Sequence, residues 1–68
     1  TASATIAAYE RRKKINARVE EILGQAFVAF AIMRERIVTE FGPLSEEETD
    51  LVEGIHESHR LKREWDSN

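Results

Sequence analysis

The sequence predicts an all-α fold: an antiparallel helical hairpin that dimerises into a four-helix bundle. Three observations predict it. Charged residues make up 34% of the 68-residue chain, with only three glycines and one proline, a composition that suits long helices rather than a sheet. A single stop-and-start signal, FGPLSEEE at 41–48, divides the chain once. Apolar residues recur at helical spacing on both sides of that signal. A chain this short buries only about 60% of the surface its unfolded form exposes. It has no cysteine, so neither disulfides nor thiolate metal sites make up the deficit. Association is the remaining remedy, and residues 1–68 read as one helical-hairpin domain.

The first helix is expected over about residues 4–41. At about 100° per residue, Ile15, Val19, Ile22, Leu23, Ala26, Phe30, Met33, Ile37 and Phe41 share one face. Gly24 is its weak point, costing about 1 kcal/mol relative to alanine in a helix interior. From Ala26 to Met33 the chain is apolar without interruption. The main face takes Ala26, Phe30 and Met33, with Phe27 at its margin. Val28 and Ile32 then remain on the back of the helix, four residues apart and hence one patch.

The turn follows from local chemistry. Gly42 can take the left-handed conformation that closes a helix, and Pro43 cannot continue one. Ser45 stands three residues before Glu48, the capping-box spacing. Glu46, Glu47 and Glu48 fall in the first turn, where the helix dipole favours negative charge. The second helix is expected over about residues 46–65, antiparallel to the first. Leu51, Val52 and Ile55 face inward, and the seam continues through Ser58, Leu61 and Trp65. Gly54 and Ser58 would leave room for Phe27 and Phe30. Folded back from the turn, this helix reaches only to about Ile22, so Ile15 and Val19 overhang uncovered. The expected partner or oligomer interface is therefore Ile15, Val19, Phe27, Val28 and Ile32.

Charge points the same way. From Arg34 to Glu57 there are eight acidic and two basic residues, whereas the rest of the chain is net basic. A hairpin would have an acidic turn end and a basic open end carrying Arg11, Arg12, Lys13, Lys14 and Arg18. Antiparallel dimerisation would then place opposite charges side by side, and the dimer would weaken as salt screens them.

The segment Arg11–Arg18 is the candidate contact for nucleic acid or for an acidic partner, although net charge is −3 and only Tyr9 adds an aromatic beside it. Glu53 and His56 have the E-x-x-H spacing of carboxylate-bridged metal bundles, and His56 and His59 lie one turn apart. Glu53 and His56 are expected to point away from the Leu51–Ile55 stripe, so no metal and no cofactor is expected. No nucleophile with a base, phosphate-cradling loop or catalytic pocket is visible. The apolar run is too short to cross a bilayer, and the order of basic and apolar segments does not suit a signal peptide. The expected protein is a cytoplasmic, non-enzymatic helical interaction protein: a regulator, inhibitor or assembly subunit that binds a protein partner as a homodimer. The alternative is an RNA- or DNA-binding regulator.

Overall fold

The computed structural model describes residues 2–67, with side chains from 4 to 66; Thr1 and Asn68 lie outside the described residues. Helix α1 spans Ala2–Gln25, α2 Phe30–Phe41 and α3 Glu46–Ser67, with no strand among the described residues. The α2–α3 turn forms as its residues require. Gly42 takes φ 83°, and its N–H donates to the Val38 carbonyl at 2.8 Å. Both halves of the capping box are made: the Ser45 N–H donates to Glu48 Oε1 at 2.9 Å, and the Glu48 N–H to Ser45 Oγ at 3.1 Å.

The continuous helix expected over 4–41 does not form. Residues 26–29 are non-helical, so two helices replace one. The break lies just beyond Gly24, which itself remains in α1. No local signal starts α2: its N-cap, Ala29, is extended at φ −60°, ψ 149° and offers no side-chain cap. Tertiary burial supplies the reason. A helix that is apolar all round cannot be satisfied by one neighbour. Breaking it lets Phe27, Val28 and Phe30 all pack against the core.

The break also changes the topology. Turned back at 26–29, α2 runs antiparallel to α1 and brings Glu40 to Arg18, Oε2 to Nε 2.7 Å. The second turn sends α3 back along α1 in the same direction, with Glu48 beside Arg11 and His59 beside Glu20. The result is an up-down-up arrangement of three helices, 48 × 20 × 19 Å overall, in place of a two-helix hairpin.

The core draws on all three helices: Ile15, Val19, Ile22 and Leu23 from α1, Met33 and Ile37 from α2, and Val52 from α3. The face read from helical spacing is thus the core, apart from the exposed Ala26. Ile15 and Val19 are 0% exposed. They do not overhang, because folding at 26–29 gives α1 two covering helices from its own chain. Gly54 and Ser58 lie on the exposed side of α3, and a Cβ built at Gly54 meets nothing within 4 Å. They therefore do not accommodate the Phe27 and Phe30 rings, which pack on His56 instead.

Candidate interaction surface

The basic segment is largely consumed by the fold. The Arg11 guanidinium makes three contacts at the α2–α3 turn. Nε donates to Glu48 Oε2 at 2.6 Å, Nη1 to the Phe41 carbonyl at 2.7 Å, and Nη2 to the Pro43 carbonyl at 3.2 Å. One side chain thus binds the last turn of α2, the loop and the cap of α3. Arg11, and after it the Ser45 N–H, hold the Glu48 carboxyl below its ordinary value. Arg12 reaches Glu47 at 3.3 Å, and Arg18 reaches both Glu40 and Glu21. Only Lys13 and Lys14 of the five are exposed and make no ion pair among the described residues. The basic and acidic segments, expected at opposite ends of a hairpin, meet at one end of the same chain. The electrostatic reason for an antiparallel dimer of hairpins disappears with that geometry.

The two histidines serve different contacts. His56 turns inward, contrary to the expectation that it points away. Its Nε2–H donates to the Val28 carbonyl at 2.8 Å, and its ring lies 4.8 Å from Phe27 and 5.6 Å from Phe30. Arg63 stacks over the other part of the joint, 5.3 Å from the Phe27 centroid. The α1–α2 break is therefore fastened by α3, one carbonyl of the non-helical segment being paired with a side chain rather than with a helical amide. His59 is half-buried and bonds Glu20 at 2.8 Å. Glu53 is exposed. Among the described residues, no group of three or more His, Cys, Asp and Glu side chains is placed to hold a metal ion. His56→Ala is expected to cost about 1–2 kcal/mol and to speed amide hydrogen exchange selectively at residues 26–33, read by native-state exchange.

The five residues assigned to an interface separate. Ile15 and Val19 are core, and Phe27 and Val28 are half-buried against it. Ile32 alone stays open, 49% exposed, in a shallow groove between α1 and α2 lined also by Arg18, Arg36, Thr39 and Glu40.

Four other large apolar side chains are more exposed than Ile32: Ile6 at 58%, Tyr9 at 60%, Leu61 at 52% and Trp65 at 83%. The assignment of Leu61 and Trp65 to a covered seam is thus corrected. They point outward because they lie on the other face of α3 from His59 and Arg63, the side chains that meet Glu20 and Phe27 at this level. A sequence signal for them exists. Leu51, Gly54, Ser58, Leu61 and Trp65 alternate by three and four residues, a second seam on α3 distinct from Glu48, Val52 and Ile55. Tyr9 and Leu51 line one shallow groove with Arg12, Lys13 and Asn16, which places Tyr9 on the same side of the α1–α3 pair as this seam.

No protein-family model, curated protein or solved structure matches this chain. No helix among the described residues is long and apolar enough to cross a membrane.

Proposed function

We propose that this is a non-enzymatic helical interaction protein, acting as a homo-oligomer that binds a protein partner as a regulator, inhibitor or assembly subunit. One observation carries the reading: after the core is filled, an isoleucine, a tyrosine, a leucine and a tryptophan remain on the α1 and α3 surfaces. Tryptophan and tyrosine on a surface are the side chains that contribute most to protein–protein binding when buried. Nucleic-acid binding through Arg11–Arg18 loses support, because Arg11, Arg12 and Arg18 already neutralise glutamates. Two lysines alone would neutralise few phosphates.

The test combines sedimentation over a range of protein concentrations with an affinity capture done with and without nuclease. The reading expects a concentration-dependent oligomer and a captured protein that survives nuclease. A chain that sediments as a monomer throughout, with every captured species lost to nuclease, would overturn it.

A further inference from the structure

The α3 seam and the first turns of α1 form one face. Three cross-helix pairs, Arg11–Glu48, Arg12–Glu47 and Glu20–His59, fix the level of α1 against α3. At that level Tyr9 stands beside the start of α3, near Glu46, and Ile6, one turn earlier on α1, stands level with the loop that precedes it. Leu61 and Trp65 stand at the far end of α3. The midpoint between these two apolar pairs falls at Gly54, where added atoms would meet only open space. Each end of the face is thus apolar and its centre is small and open.

Charge along α3 is equally one-directional. Between Glu46 and Glu57 all charged side chains are acidic: Glu46, Glu47, Glu48, Asp50, Glu53 and Glu57. Beyond Ser58 the helix carries Arg60, Lys62 and Arg63 against Glu64 and Asp66. Glu46 and Lys62 are exposed, and neither makes an ion pair among the described residues. A parallel pair of α3 helices would stack the acidic halves on each other. An antiparallel pair crossing at Gly54 sets residues 46–50 of each copy against 58–62 of its neighbour, so that the exposed Glu46 faces the exposed Lys62.

We infer that this face binds a second copy of the chain, α3 crossing α3 antiparallel about a two-fold axis at Gly54. The crossing lays Leu61 and Trp65 of each copy across the α1 arm that holds Ile6 and Tyr9 of the other. Gly54 and Ser58 permit close approach of the two backbones at the axis, and Lys62 comes level with Glu46 and Glu47 of the second copy. Because the two-fold relates each patch to its complement, the interface closes and no filament grows. This inference rests on the homo-oligomer reading and gives that reading a surface other than Ile32.

The absence of cysteine makes the test direct. Gly54→Cys, placed at the axis, should form a disulfide-linked dimer under mild oxidation or with a short bis-maleimide. Ile32→Cys, on the α1–α2 side, should not. Trp65 is the only tryptophan, so its emission should move to shorter wavelength with rising concentration as the dimer forms. Trp65→Glu should weaken the dimer by about thirtyfold or more with the far-ultraviolet circular dichroism unchanged. If sedimentation shows a dimer but Ile32→Cys cross-links and Gly54→Cys does not, the α3 face is overturned while the homo-oligomer reading stands. If the chain is monomeric at every concentration, both fall.

Discussion

Ile15→Ala is expected to destabilise the fold by about 3 kcal/mol, by the same amount at every protein concentration. Ile15 is 0% exposed, and it lies in a cluster with Val19, Met33, Ile37 and Val52, all equally closed to solvent. Truncation removes the transfer free energy of its methyl and methylene groups and leaves a cavity that three short helices refill only in part. A chain of this size commonly has about 3–10 kcal/mol of stability in total, so the variant should lose from about a third to nearly all of it. The concentration dependence decides between two structures. In a two-helix hairpin Ile15 would be covered only by another chain, and its loss would act through assembly. In the three-helix fold its loss acts within one chain. Urea titrations at low and high concentration separate these. A destabilisation that vanishes on dilution, or one below about 1 kcal/mol, contradicts the three-helix core.

That contrast shows where sequence reasoning succeeds on this chain and where it stops. Period and local chemistry were sufficient for the elements they control. The helical face from Ile15 to Ile37 is the core face, and FGPLSEEE is a turn with a reciprocal cap. Those features depend on residues within a few positions of one another. The break at 26–29 does not. Nothing between Ala26 and Ala29 is glycine, proline or a capping side chain, and intrinsic preference favours continuing the helix through the alanines. The break is held from about thirty residues away, by His56 on the Val28 carbonyl. Once that one element is misread, errors follow together. Ile15 and Val19 lose their cover, and the basic and acidic segments move to opposite ends. The surplus did mark exposed apolar surface, but Val28 is packed against the core and the larger residue set lies at Ile6, Tyr9, Leu61 and Trp65. Reading α3 for two seams instead of one would have found half of it.

Arg11→Ala should lower stability by about 2 kcal/mol, equivalent to about 8–16 °C in Tm for a domain of this size. The cost exceeds that of an ordinary surface ion pair because of what Arg11 leaves behind. Glu48 is buried, with a side chain 10% exposed, and Nε of Arg11 is its charged partner at 2.6 Å. The same guanidinium is bonded to the Phe41 and Pro43 carbonyls. Its loss exposes three acceptors at once, one of them a carboxylate with little access to water. The Ser45 N–H remains on Glu48 Oε1, which limits the penalty and keeps α3 capped.

The pH dependence follows from Glu48. Arg11 first, then Ser45, hold its carboxyl below the ordinary value of 4.5. The unfolded chain therefore binds a proton at Glu48 at a higher pH than the folded chain does. The resulting stabilisation is fully present above the ordinary carboxylate value and is lost as pH falls through the lowered folded value. In Arg11→Ala the largest cause of that lowering is gone, so the stability gap between the two proteins should be widest near neutral pH and close in acid. Urea unfolding at pH 7 and pH 3 measures both ends. Glu48→Gln keeps an acceptor for the Ser45 amide while removing the charge, so the cycle with Arg11→Ala isolates the coupling. A gap that stays constant down to pH 3 would mean that the ion pair contributes nothing, and that Arg11 acts only through the carbonyls of Phe41 and Pro43.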